Sequence, residues 1–160
     1  MPDYRIRAAT LDQVDVDALV HHRIAMFTDM GTPMDADAVA IAFRRWVTRM
    51  LPAGTFRGWL IEGPSGEIVA GGSIAILPWP PGPAMAGDTL AFVYNVYTEP
   101  AHRRRGLARM VMETIHAWCL EAGITTAALN SSADGQPLYE SLGYRVRTNP
   151  MMMVSLEVRG

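Results

Sequence analysis

Between Val96 and Arg109 the chain reads VYTEPAHRRRGLAR. An apolar strand stops at Pro100, three arginines and Gly106 follow, and helical periodicity begins at Leu107. No other stretch constrains the fold so tightly, because strand, turn and helix must succeed one another within a few residues. A helix N-terminus leaves backbone N–H groups without acceptors, and the helix dipole places its positive end there. The arginines add fixed charge, and Gly106 lets a ligand approach the backbone. The junction reads as an anion cradle whose best ligand is a phosphate or pyrophosphate. A bare run of arginines would favour a solvated cluster capping a core helix. The preceding strand and proline, with the helix beyond, reverse that preference.

The rest of the chain supplies elements for this junction to pack against. Residues 4–9 alternate as a strand. Thr10 is placed to cap a helix over about 11–29, which Gly31 ends. A second helix covers about 35–51. Residues 55–62 and 67–78 form two strands joined by the turn Gly63-Pro64-Ser65-Gly66. Pro78-Trp79-Pro80-Pro81-Gly82-Pro83 is a stiff loop that cannot join a sheet ladder. A strand at 89–98 leads into the junction, and its helix runs over 106–122. A strand at 124–130, a short helix at 134–142 and strands near 144–148 and 151–158 complete the order β-α-α-β-β-β-α-β-α-β-β. In the last strand, one face of the run Met151-Met152-Met153 should be core. Strand–helix–strand units beside hairpins imply an α/β (α+β) fold. Its sheet is mixed and mostly antiparallel, with about seven strands and helices on both faces.

At 160 residues the chain suits a single domain over 1–160. Formal net charge is −2 and all 14 basic residues are arginine. One short basic cluster on an acidic chain argues against nucleic acid, and no apolar run approaches membrane-spanning length. The N-terminus MPDYRIRAAT is too polar for a secretory leader, so a cytoplasmic location is expected. The single cysteine, Cys119, falls in a helical pattern and reads as a buried structural thiol. No His and acid spacing suggests a metal site. Neither G-x-x-x-x-G-K-[ST] nor G-x-G-x-x-G occurs, which disfavours the common nucleotide folds.

The run Pro-x-x-Arg-x-x-Gly-x-Ala, here Pro100, Arg103, Gly106 and Ala108, resembles the acetyl-CoA-binding motif of the GNAT superfamily of N-acetyltransferases. Residues 129–144, LNSSADGQPLYESLGY, resemble that superfamily's second signature, a strand and short helix ending Leu-Tyr-x-x-Leu-Gly-Phe/Tyr. The order of elements is also the superfamily's.

The resemblance implies acetyl-CoA as co-substrate, no metal, and a small-molecule or peptide amine as acceptor. It leaves a homodimer open and gives no role to nucleic acid or membrane. The backbone of Val96, Tyr97 and Thr98 would run beside the pantetheine arm. The N–H groups of Arg104, Arg105, Gly106, Leu107, Ala108 and Arg109 would hold the pyrophosphate, with the side chains of Arg103, Arg104 and Arg105 near the phosphates. Tyr139 matches the tyrosine that lies near the thioester sulfur, where its hydroxyl could protonate the departing thiolate. Ser132 stands where many relatives have a coenzyme-contacting asparagine, and Asn130 is a neighbouring alternate.

The general base is the open point. Strand 89–98 carries no acid before Glu99, which favours a water relay that could include Asn95. Met30 and His22 border the expected acceptor wall, although core packing competes as a reading for both. Two function classes follow: an acetyl-CoA-dependent N-acetyltransferase acting by direct attack, and a non-catalytic acyl-CoA-binding or sensing module.

Overall fold

A computed structural model describes residues 3–156. The chain divides into two compact units, Met1–Asn130 and Ser131–Gly160.

The first unit is a five-stranded sheet in the order β1-β2-β3-β4-β5. Its strands are β1 Arg5–Ala8, β2 Phe56–Glu62, β3 Ile68–Pro78, β4 Thr89–Thr98 and β5 Ala127–Leu129. Neighbours pair antiparallel except β4 and β5, which run parallel. Helices α1 Gln13–Asp29, α2 Ala36–Met50 and α3 Leu107–Glu121 cover it.

Two adjacent glycines of β3 show which helix lies on which face. A Cβ on Gly71 would come within 3.2 Å of His22 Nδ1 on α1, and one on Gly72 within 2.5 Å of Val111 Cγ1 on α3. Successive strand residues point to opposite faces, so α1 and α3 lie on opposite sides of the sheet. On the α1 side Leu19, Val47, Phe56 and Leu60 form a buried cluster flanked by Phe43, Trp46 and Met50. On the other side α3 buries Leu107, Val111, Met112, Ile115 and Cys119, a single stripe at helical spacing. Burial pushes the Cys119 thiol pKa up, as befits a packed rather than reactive sulfur.

The second unit contains α4 Gln136–Ser141. Two expectations are corrected here. The sheet has five strands rather than about seven, because no strand forms among residues 144–156. Residues 157–158 of the expected last strand lie outside the described residues. Met151, Met152 and Met153 all face solvent, Met152 being 89% exposed, so no face of that run is core. Alternation states which face a segment would bury once paired, but it does not supply the neighbouring edge.

The cap of α1 also differs from expectation. Asp12 occupies the N-cap without a side-chain bond. Thr10 instead donates from its N–H and its hydroxyl to Asp15 Oδ2, at 2.8 and 2.9 Å. Arg7 adds a two-pronged contact to both Asp15 oxygens at 2.8 Å. Asp15 is only 2% exposed, and this set of donors ties β1 to α1. Led by the Arg7 hydrogen bonds, the partners hold its pKa down at about 2, from a usual 3.8.

Because the folded carboxyl is the stronger acid, its contribution is complete above about pH 4 and disappears as pH falls through 2. Asp15→Asn should cost roughly 2 kcal/mol at pH 7. The gap between variant and wild type should narrow in urea titrations between pH 4 and pH 2. A constant gap across that window would remove the carboxylate from this role.

Candidate functional site

The site is organised by an irregularity in β4. Ser73 pairs with Tyr94 and Gly71 with Tyr97, so one residue on β3, Gly72, faces two on β4, Asn95 and Val96. The extra residue makes a bulge, and Asn95 adopts φ 58° to form it. A left-handed conformation suits asparagine better than most side chains. Tyr94 and Tyr97 sit opposite Ser73 and Gly71 and share their α1-facing side. Asn95 also points there. Its Nδ2 donates to Leu19 O at 3.0 Å, and its Oδ1 accepts from Arg23 Nη1 at 3.3 Å. Asn95 is 2% exposed, so its own amide has no water to turn to, and the bulge is clamped to α1 through it.

Beyond the bulge β4 loses its second neighbour. β5 pairs only with Ala91, Phe92 and Val93. Glu99 N–H donates to Val69 O at 2.8 Å, which makes that pair hydrogen-bonded in the β3–β4 ladder. By the alternation of an antiparallel ladder, the peptide groups of Val96 and Thr98 face the other edge. Among the described residues no strand pairs with that edge beyond Val93; apart from Thr98 O, which accepts from Arg103 Nε, it presents backbone donors and acceptors as a template for an extended amide-bearing ligand.

The open edge runs directly into the arginine turn. Pro100–His102 form one 3₁₀ turn. Arg104 has φ 62° and Gly106 φ 78°, and α3 starts at Leu107 with Gly106 as N-cap. The first bond of α3 runs from Met110 N–H to Gly106 O, so the helix ladder itself offers no acceptor to Leu107 and Ala108 N–H. Nothing lies within 4 Å of a Cβ built on Gly106. Left-handed residues beside a helix N-terminus aim successive N–H groups at one place and form an anion nest.

Other expected site residues have partners of their own. Arg103 donates from Nε to Thr98 O at 2.9 Å and from Nη2 to Asp29 Oδ2 at 2.5 Å, so it braces the turn against the end of α1. Arg104 and Arg105 are exposed, and Arg109 lies 3.8 Å from Glu113. Tyr97 is buried against His22, with ring centroids 5.2 Å apart. Burial and nearby Glu99 push its pKa up. His22 is 1% exposed and its Nδ1 has no hydrogen-bond partner. Burial, reinforced by His21, pushes its pKa down to about 4, so it is neutral at pH 7. It is sealed between α1 and the sheet. Met30 is the exposed C-cap of α1, and Asn130 is exposed beyond β5. His21 Nε2 contacts Glu99 Oε1 at the surface.

In the second unit Ser132 Oγ accepts Gly135 N–H at 3.2 Å and so closes the turn before α4. Tyr139 packs edge-on against Tyr144. Burial pushes its pKa up, which keeps its proton in place at neutral pH.

Sequence reasoning missed Arg23. It stands at four-residue spacing between Leu19 and Phe27 on α1, and a cation within an apolar helical stripe was the available signal. Among the described residues no helix is long and apolar enough to cross a membrane.

Asn95→Ala would remove both clamp bonds and place alanine at a left-handed φ. A loss of about 2–3 kcal/mol in urea unfolding is expected. An unchanged midpoint would show that the bulge does not depend on this amide.

The comparisons with known proteins converge. The model of the acetyltransferase (GNAT) family matches residues 18–144, running through both units. A GCN5-related N-acetyltransferase from Ralstonia eutropha JMP134 is 31% identical, covers 95% of this chain and 99% of its own, and superposes with a TM-score of 0.84. A predicted acetyltransferase from Clostridium acetobutylicum, solved with acetyl-CoA, is 24% identical over 96% of each chain, with a TM-score of 0.83. A glucosamine-6-phosphate N-acetyltransferase from Arabidopsis thaliana shares the fold at 16% identity, with 95% of this chain and 98% of its own covered and a TM-score of 0.67.

Proposed function

The chain belongs to the acetyltransferase (GNAT) family, and from that premise we propose that it is an acetyl-CoA-dependent N-acetyltransferase working as a single domain by direct attack of an amine on the thioester. The observation that carries this reading is the continuity of the open β4 edge with the α3 nest. One extended ligand with amides at one end and a pyrophosphate at the other fits both. Val96 and Thr98 pair with the pantetheine amides. The N–H groups of the 104–109 turn take the pyrophosphate, and the open space at Gly106 allows it to approach. Arg104 and Arg105, both exposed, supply charge for the phosphates. Asn130 and the free proton of Ser132 offer further coenzyme contacts.

The amine attacks the thioester carbonyl, whose carbon–sulfur bond then breaks with the electron pair passing to sulfur. Tyr139, holding its proton through burial, donates it to the departing thiolate. The proton lost by the amine leaves through water. His22 is unsuited to take it, because it is sealed beneath α1.

Acetyl-CoA titrated calorimetrically into the wild type should bind, and Gly106→Glu should abolish binding. The variant should remain folded, because its Cβ meets no neighbour and a left-handed φ costs only about 1–2 kcal/mol. Tyr139→Phe should retain acetyl-CoA affinity while kcat falls about 10²-fold in a free-thiol assay. Binding without thiol release from any amine would favour a sensing module, and absence of binding would remove the coenzyme reading of the junction.

A further inference from the structure

Arg23 lies in the second half of α1 with its guanidinium packed among three rings. The carbon centre is 4.8 Å from the centroid of Phe27, 5.3 Å from Phe43 and 5.7 Å from Tyr94. Its hydrogen bond goes to Asn95 Oδ1 at 3.3 Å, a neutral acceptor beyond the usual N–H···O range. A guanidinium carries five donors. Among the described residues no carboxylate pairs with Arg23, whereas Arg7, Arg44 and Arg103 each meet an aspartate. Burial works against its charge and lowers its pKa. Aromatic faces return only part of the lost hydration, and an anion would return much more.

Space for that anion exists. Arg23 lines an open pocket of about 480 Å³ with Val39, Ala42, Phe43, Trp46 and Tyr94. The remaining walls are apolar or aromatic apart from the Tyr94 hydroxyl. The site offers one planar cation, and its lining contains no helix N-terminus or backbone nest. This favours a carboxylate, matched two-pronged by guanidinium, over a phosphate dianion. The walls call for a bulky apolar group on the same ligand. Tyr94 is the last paired residue before the bulge, Asn95 and Val96 form the bulge opposite Gly72, and the open edge begins at Val96. A ligand anchored at Arg23 would thus bring an amine to the start of the coenzyme edge only if amine and carboxylate lie close together.

We propose that Arg23 anchors the carboxylate of the acceptor, and that the acceptor is a free α-amino acid with a large apolar side chain resting on Phe43 and Trp46. The inference rests on the acetyltransferase reading above. Polyamines are excluded because they would place positive charge beside Arg23. Peptide N-termini are disfavoured because an amide stands in place of the α-carboxylate beside the amine.

The test compares L-phenylalanine with L-phenylalaninamide at saturating acetyl-CoA, for wild type, Arg23→Lys and Arg23→Gln. N-acetyl-L-phenylalanine is titrated calorimetrically in parallel, since it probes the pocket without transfer. The wild type should prefer the acid by about 10- to 100-fold in kcat/KM, chiefly through KM. The amide has the less basic amine, so such a preference cannot arise from amine protonation. Arg23→Gln should bring the ratio to one or below by slowing only the acid, since the less basic amide is the more reactive once the carboxylate contact is gone, and Arg23→Lys should fall between. N-acetyl-L-phenylalanine should bind the wild type and not Arg23→Gln, while the amide rate and acetyl-CoA affinity of each variant report an intact fold. Equal rates for acid and amide in the wild type would overturn the proposal, as would binding of neither compound. If acetyl-CoA still binds in that case, only the amino-acid acceptor is rejected. Loss of acetyl-CoA binding by the wild type would instead reject the transferase reading, and N-acetyl-L-phenylalanine binding would still judge the pocket.

Discussion

The one-residue bulge in β4 is the constraint from which the site follows. It turns Tyr94, Asn95 and Tyr97 toward α1, where regular alternation would divide them between the two faces. It also marks where the strand ceases to share its edge with β5. Bulges bend a strand and increase its twist, so the same residue that anchors α1 lies where the sheet opens. Asn95 serves both needs because it tolerates a left-handed backbone and has an amide that donates and accepts at once. A fully regular β4 would lack the clamp on α1 and that alignment of side chains.

Charge is distributed unevenly around this centre. Arg7 is held by Asp15 and Glu62, and Arg103 by Asp29; these pairs fix β1 and the arginine turn to α1. Arg23 is the contrasting case, with aromatic neighbours and a neutral amide. Structural ion pairs satisfy their partners within the fold. A half-buried guanidinium with no carboxylate among the described residues keeps its affinity for one that arrives from outside. The buried histidine differs again, because neutralisation at pH 7 lets it pack as an apolar ring against Tyr97.

Much of this was legible in the sequence, since the strand–turn–helix junction joins local signals that agree. Pro100 stops the strand, Gly106 supplies the left-handed N-cap, and Leu107, Val111 and Ile115 set the helical stripe. The first four expected strands and the three long helices appear within a residue or two of their expected bounds. The strand expected at 124–130 is shorter, Ala127–Leu129. The terminal strands were not legible, because alternation in Met151–Leu156 is a property of the segment while pairing depends on an edge elsewhere. The α1 cap was misplaced because Thr10 bonds Asp15, and Asp15 in turn answers to Arg7 from β1. The bulge has no strong local signature, and Arg23 becomes informative only when Phe43 and Tyr94 are brought around it from α2 and β4.

Amide hydrogen exchange on the folded protein, with and without coenzyme A, tests the central claim most directly. Val96, Thr98, Leu107 and Ala108 should become protected together on coenzyme A binding, while Tyr97, whose amide belongs to the β3 side of the ladder, should change little. Protection of the helix N-terminus without the strand edge, or of neither, would contradict the continuity of edge and nest on which the functional reading stands.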